Sequence, residues 1–113
     1  MIPPDHLSPR AKEYFLDTVR LLTESKAKFG ALDIHILASY AACCAQIEKL
    51  DQEIDKVGYI IDTPKGKIAN PLIRAQRQAV GLQVALAKQL GLTPSARGEV
   101  KKISEEGGAL FED

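Results

Sequence analysis

The residues of this 113-residue sequence that are best suited to a chemical task are basic, and they are concentrated in its second half. Lysine and arginine side chains bind phosphate groups through charge and hydrogen bonding, without reading a base sequence. Eight basic residues and one acidic residue lie between Thr63 and Lys102, although the net charge of the chain is zero. We therefore predict a phosphate-binding surface, with a solvated helix face as the alternative. Its residues are Lys65, Lys67, Arg74 and Arg77, followed by a second cluster of Arg97, Lys101 and Lys102.

Patterns typical of catalysis or metal binding are missing from the sequence. His6 and His35 have no obvious partner residues, and the chain contains neither a phosphate loop nor a nucleophile elbow. Cys43 and Cys44 are adjacent on a predicted helix, where a mutual disulfide would be strained, so we interpret both as small core residues. The sequence predicts no catalytic residue, no cofactor and no metal site. Because aromatic residues do not alternate with the basic ones, it also disfavours stacking on single-stranded nucleic acid.

A long helix from Leu32 to Val57 is the element around which the rest must be arranged. Small residues fill its first half and charged residues its second half, which predicts one packed end and one projecting end. Seven side chains recur at alternating spacings of four and three, typical of a narrow helical stripe that faces a partner helix. We predict that this stripe also joins subunits in an oligomer. Its members are Ile36, Tyr40, Cys43, Ile47, Leu50, Ile54 and Val57.

Two further helices have clear boundary signals. Ser8 and Pro9 predict the cap and first position of a helix that ends near Ser25, and Asn70 and Pro71 predict the same for a helix that ends at Leu90 before Gly91. The first helix should bury Ala11, Phe15, Thr18 and Leu22. The later helix is the natural partner of the long one, and its predicted buried stripe consists of Leu72, Ala75, Ala79, Leu82, Leu86 and Leu90.

The segment between the second and third of these helices changes character. Gly58 predicts a left-handed cap, and the apolar residues that follow it are strand-like. Asp62 to Gly66 has turn chemistry, so Lys67 to Ala69 can pair back as a β-hairpin, which should lean on helices or on another copy of the chain. Thr93 and Pro94 predict a short fourth helix that runs to about Ile103.

These elements predict an all-α fold: a helical hairpin with one long central helix, a third helix, a short fourth helix, and either a small β-hairpin or a flexible loop between helices two and three. We divide the chain into a mobile N-terminal arm (1–7), a helical oligomerisation and DNA-binding domain (8–103) and an acidic flexible tail (104–113). In the tail, Leu110, Phe111 and Glu112 resemble a docking peptide, with a frayed chain end as the alternative. No apolar run reaches the ~20 residues of a membrane span, so we expect no membrane partner and a cytoplasmic protein.

An ordered set of short motifs resembles one family of phage terminase small subunits. The set begins with Pro3 to Leu7, continues through Thr63 to Gly66 and the Asn70–Pro71 helix start, and ends with Gly91 to Arg97, read as Gly-Leu-Thr-Pro-Ser-Ala-Arg. One departure is the start of the long helix, where Gly30 to Asp33 replace the usual Leu-Thr-Glu-Ala-Asp type of cap. The resemblance covers nearly the whole chain.

The resemblance implies a non-enzymatic DNA-packaging factor. Such a subunit forms a ring-shaped homo-oligomer, binds viral double-stranded DNA, and delivers it to the large terminase subunit, which holds the ATPase and nuclease. A phage-encoded protein of this kind would act in the cytoplasm of the bacterial host. The alternative is a helical protein-interaction module that dimerises through the long helix and does not bind nucleic acid.

Overall fold

The fold consists of three α-helices and one two-stranded antiparallel sheet, seen in a computed structural model that describes residues 1–25 and 29–92. The predicted helical architecture and the β-hairpin are confirmed within these residues. The predicted fourth helix, from Thr93 to about Ile103, lies outside them. In chain order the elements are α1 (Pro9–Glu24), α2 (Ile34–Val57), β1 (Ile60–Thr63), β2 (Gly66–Ala69) and α3 (Leu72–Leu90).

Helix α1 begins and packs as its sequence predicts. The Ala11 N–H donates to Ser8 Oγ at 3.2 Å, which satisfies one of the backbone donors that a helix start leaves free. Its four buried residues are the predicted ones. Phe15 and Leu22 have no exposed surface and join Leu37 of α2 as the largest fully buried side chains of the described residues. Leu7 of the N-terminal arm is also buried in this core.

Helix α2 starts slightly later than predicted. A single 3₁₀ turn covers Ala31–Asp33, and the α-helix begins at Ile34. The turn is closed by the Asp33 carboxylate, whose Oδ2 accepts the Gly30 N–H at 2.9 Å. Leu32 precedes the helix and is 95% exposed, so it does not belong to the buried stripe.

Helices α1 and α2 pack as an antiparallel pair because α2 presents small residues to α1. Ala38, Ala41 and Ala45 are buried in the same cluster as Phe15, and their short side chains permit a close approach.

A polar contact fixes the pair at the start of α1. Arg10 Nε and Nη2 donate to the Glu48 carboxylate at 2.9–3.1 Å, and the Tyr14 hydroxyl donates to Glu48 Oε2 at 2.6 Å.

We expect Glu48→Gln to lower the melting temperature at neutral pH. Hydrogen bonds from Arg10 and then Tyr14 hold the pKa of Glu48 below its ordinary value of 4.5. A carboxylate with a lowered folded-state pKa stabilises the fold above its unfolded-state pKa, and this contribution is lost as the pH falls through the folded-state pKa. The difference in melting temperature between wild type and variant should therefore be constant near pH 7 and shrink below about 4.5.

Glu24→Gln is the matched control, because Glu24 pairs with Arg20 on an exposed helix face and such pairs contribute little. It should melt like the wild type throughout the same pH series. A Glu48→Gln difference that does not change with pH would show that the carboxylate charge is not responsible.

Helix α3 packs along α2, which confirms the predicted pairing. The Cys43 thiol donates to the Ala79 carbonyl oxygen at 3.1 Å, and Gln83 Nε2 donates to Cys44 Sγ at 3.4 Å. Burial raises the pKa of the Cys43 thiol, so the thiol stays protonated and able to donate. These contacts place α3 against the middle of the long helix.

The seven stripe residues of α2 are mostly covered within the chain. Burial, with Cys44 beside it, raises the pKa of the Tyr40 hydroxyl to about 12. The role of the seven stripe residues between subunits stays a prediction. Cys43 and Ile54 are buried, Ile36, Tyr40, Ile47 and Leu50 are half-buried, and Val57 is exposed.

The predicted buried stripe of α3 is wrong at Leu82, which is 53% exposed. At 3.6 residues per turn, Ala79, Leu86 and Leu90 define an inner face on which Gln83, and not Leu82, falls. Gln76 lies on the same face and donates to the Asp51 carboxylate. The remaining predicted members, Leu72 and Ala75, are half-buried.

Strands β1 and β2 form a short ribbon that connects α2 to α3. Ile61 pairs with Ile68 and Asp62 with Lys67, and the turn closes between Thr63 and Gly66. Gly58 has φ +91° and ψ 172°, so the positive φ is confirmed but the predicted left-handed helical cap is wrong. The extended ψ has a physical reason, since the chain must leave α2 directly into a strand. Gly91 does adopt the left-handed conformation that ends α3.

Asn70 joins the three elements that meet at the base of the ribbon. Its Oδ1 accepts the Leu72 N–H at 3.0 Å, so it caps α3 as predicted, although the helix begins at Leu72 and not at Pro71. Its Nδ2 donates to the Gly58 carbonyl at 2.8 Å, and its backbone N–H donates to the Tyr59 carbonyl at 2.8 Å. Asn70 is 3% exposed. One buried amide therefore fixes the end of α2, the ribbon and the start of α3.

The described chain is elongated, with extents of 65 × 30 × 19 Å. The main core lies where α1, the first half of α2 and the end of α3 meet. The second half of α2, the start of α3 and the ribbon extend from it. Among the described helices, none has the length and apolar character needed to cross a membrane.

Candidate nucleic-acid interface

The predicted basic residues of the described chain lie on two neighbouring elements. Lys65 is in the turn of the ribbon and Lys67 is on β2, while Arg74 and Arg77 lie in the first two turns of α3. All four are exposed. The second predicted cluster (Arg97, Lys101 and Lys102) and the predicted docking residues (Leu110, Phe111 and Glu112) lie outside the described residues.

Arg74 and Arg77 share a shallow concavity at the junction of the ribbon and α3. A spacing of three residues brings two side chains onto neighbouring turns of one helix face. The concavity has a volume of about 660 Å³ and lies against the Asn70–Pro71 corner. Its lining residues are Ala69, Asn70, Pro71, Ile73, Arg74, Arg77 and Gln78. The two arginines therefore line one concavity, beside a backbone corner that the hydrogen bonds of Asn70 fix.

Gln78 is the lining residue that sequence reasoning missed. Its amide adds a neutral hydrogen-bond donor and acceptor next to the two arginines. Glutamine carries no charge, so a search for basic residues passes over it. Its spacing of four from Arg74 is the signal that could have found it.

The electrostatic surroundings of the four basic residues leave their charges available to a ligand. Five basic residues and no acidic residue lie between Thr63 and Leu92. In the described part of the chain, the ion pairs are confined to α1 and α2 and involve Arg10, Arg20 and Lys56. Asp62, which is opposite Lys67 across the ribbon, is the nearest acidic residue along the sequence. The surface can thus attract an anion without first breaking an internal ion pair.

The turn that carries Lys65 is internally bonded. The Thr63 hydroxyl donates to the Gly66 carbonyl at 2.6 Å and accepts the Lys65 N–H at 3.3 Å. Gly66 has φ +118°, a conformation that side-chain-bearing residues rarely adopt. These contacts hold the Lys65 backbone at the tip of the ribbon, away from the concavity that holds the arginines.

A second groove brings together the two histidines, which the sequence left without partners. It lies between the N-terminal arm, the start of α1 and one face of α2, with a volume of about 500 Å³. His6 and His35 both line it, together with small residues such as Ala38, Ser39 and Ala42. The described residues include no group of three or more His, Cys, Asp or Glu side chains placed to hold a metal ion.

The comparisons with known proteins identify one family. A family model described as "Phage terminase, small subunit" matches residues 11–107, which is most of the chain. Comparison with curated proteins and with solved structures gave no match. The family match covers α1 from Ala11 onward, α2, the ribbon and α3, and therefore includes every residue of the concavity.

Proposed function

Because the chain belongs to the phage terminase small-subunit family, we propose that it binds viral double-stranded DNA and delivers it to the large terminase subunit. The family has a role in phage DNA packaging. The observation that carries the DNA-binding proposal is the pair of exposed arginines on one concavity, in a stretch without acidic residues. We assign no catalytic step to this chain, and we propose that it acts as a ring-shaped homo-oligomer.

The two arginines suit phosphate binding in chemical terms. A guanidinium group offers several N–H donors in a planar fork that matches two phosphate oxygens, and it remains charged at any physiological pH. Two such groups on adjacent helical turns can neutralise neighbouring phosphates of one strand. Gln78 adds a donor that is independent of charge. This set positions DNA without specifying a base sequence.

The ribbon would extend the contact along the duplex. Lys65 at its tip and Lys67 on β2 continue the positive surface beyond the concavity. In a ring, each subunit would contribute one such surface, so many weak contacts would add together. We assign the docking of the large subunit to the acidic tail that contains Leu110, Phe111 and Glu112, on the basis of its sequence and of the family's role.

Replacement of both arginines by glutamate, Arg74→Glu with Arg77→Glu, should weaken DNA binding and flatten its salt dependence. Each phosphate contact that is lost lowers the slope of log K against log salt by about 0.9, so the slope should fall by about 1.8 for each subunit that contacts the duplex. The measurement is binding to a labelled duplex by fluorescence anisotropy across a series of salt concentrations. The oligomeric mass should be unchanged in the same buffer.

The matched control is Lys12→Glu with Arg20→Glu on α1. It makes the same change in net charge but lies on a different helix from the concavity. This control should keep the wild-type salt slope. Equal losses in both double variants would point to net charge and away from the concavity. A wild-type protein that fails to bind DNA even at low salt would instead favour the protein-interaction module.

A further inference from the structure

The ribbon exposes apolar side chains that no described helix covers. Tyr59 is 64% exposed, Ile60 59% and Ile68 46%. The sequence predicted that this hairpin would lean on helices or on another copy of the chain. Within one chain its apolar side chains are exposed, so the described helices do not provide that contact. A lone two-stranded ribbon is only marginally stable in water. Its exposed apolar surface therefore favours a protein neighbour.

Both edges of the ribbon also have free backbone groups. The Asn70 N–H bonds to the Tyr59 carbonyl, and hydrogen-bonded pairs alternate along an antiparallel ladder. The next bonded pairs are then Ile61 with Ile68 and Thr63 with Gly66. The residues between these bonded pairs direct their N–H and C=O groups outward. They are Ile60 and Asp62 on the β1 edge, and Lys67 and Ala69 on the β2 edge. Such an edge is a template for another strand.

The charges on the two edges decide which strand fits. Asp62 lies on the β1 edge and Lys67 on the β2 edge, at the same level of the ladder. If β1 of one copy lies beside β2 of the next, each Asp62 meets a Lys67 of opposite charge. If like edges meet, no Asp62 faces a Lys67 of the neighbouring copy, and the register that opposes identical residues brings two like charges together, which is destabilising.

We infer that the ribbons of neighbouring copies pair edge to edge, with β1 of one copy beside β2 of the next. The contact is head-to-tail, so it leaves a free edge on each outer copy and propagates until a ring closes. Strand directions alternate throughout, because β1 and β2 are antiparallel within each copy. This inference rests on the ring that we propose for the function, and it supplies one contact by which that ring is built.

Cysteine cross-linking tests the head-to-tail contact directly. Two full-length variants, Asp62→Cys with an affinity tag and Lys67→Cys without one, are co-expressed, purified through the tag and oxidised. Opposed residues of antiparallel strands have Cα atoms about 4.5–5.5 Å apart, within the range that a disulfide bridges. We expect a covalent dimer that contains both variants. Neither variant expressed alone should form a covalent dimer.

Two controls are needed. Wild-type protein tests the native cysteines, since Cys43 and Cys44 are buried. Thr23→Cys co-expressed with Lys67→Cys tests the position of the new cysteine, since Thr23 lies on α1. Both should stay uncross-linked. A covalent dimer from Asp62→Cys or Lys67→Cys alone, or none from the mixture, would overturn the inference.

The charge variants Lys67→Glu and Lys65→Glu provide a second test by light scattering. Lys67→Glu should shift the mass towards the 12.3 kDa single chain, whereas Lys65→Glu should not.

The two proposals fail in different ways. Salt-dependent DNA binding without the mixed cross-link would overturn the ribbon contact and leave the packaging role intact. A mixed cross-link in a protein that binds no DNA at low salt would support the ribbon contact and contradict the packaging role.

Discussion

Replacement of Phe15 by alanine should lower the free energy of unfolding by about 3–5 kcal/mol. Phe15 has no exposed surface and packs in the cluster that joins α1 to α2. The loss combines the apolar surface that is no longer buried with the cavity that remains among alanines too short to fill it. A domain of this size has a total stability of about 5–15 kcal/mol, so the effect is a large part of the whole.

Urea denaturation followed by circular dichroism would measure the change. Leu16→Ala is the matched control, because Leu16 is next in the sequence and is 51% exposed. It should cost under about 1 kcal/mol. Should Phe15→Ala be too unstable to purify, Phe15→Leu keeps most of the volume and should cost less. A Phe15 variant as stable as the Leu16 variant would contradict the core described here.

Replacement of Asn70 by alanine should cost about 2–4 kcal/mol, although the residue is polar. Loss of the cap on α3 accounts for about 1 kcal/mol. The partly buried Gly58 carbonyl also loses its partner, which costs up to about 1–3 kcal/mol. Because the two losses occur at the base of the ribbon, hydrogen exchange of the ribbon amides should accelerate more than that of α1.

Asn70→Asp separates the two contributions. The aspartate keeps an acceptor for the Leu72 N–H but has no N–H for the Gly58 carbonyl. Because a carboxylate oxygen would then face the Gly58 carbonyl oxygen at a site that is 3% exposed, it should cost at least as much as Asn70→Ala at neutral pH, and it should also accelerate exchange in the ribbon. Gln89→Ala, at an exposed position of α3, is the control for a substitution on the same helix. An Asn70→Ala variant with wild-type stability would show that the amide does not join these elements.

The sequence was sufficient for features that depend on neighbouring residues. The cap of α1, its four buried residues, the αL glycine after α3 and the ribbon between α2 and α3 all follow from local geometry and are confirmed. The proximity of Arg74 and Arg77 was predictable for the same reason, because it needs only a helix.

Features that depend on distant partners were not predictable. Gln76 and Gln83 are turned inward because each donates a hydrogen bond to α2, to Asp51 and Cys44 respectively. Helix α2 is remote from both glutamines in the sequence. The Glu48 contact with Arg10 and Tyr14 likewise requires the packed pair of helices. The concavity around the arginines needs the corner at Asn70, which bonds to Gly58 across the ribbon. No periodicity in the sequence predicts these contacts between distant residues.

The elongated outline has a hydrodynamic consequence. The radius of gyration is 17.9 Å, whereas a compact domain of this size has one of about 12 Å. A single chain should therefore experience more friction than a sphere of equal mass, and it should leave a size-exclusion column earlier. Its rotational diffusion should be anisotropic, slower for end-over-end tumbling than for spinning about the long axis. Amides whose N–H bonds lie along the long axis should then report a different tumbling time from amides whose N–H bonds lie across it.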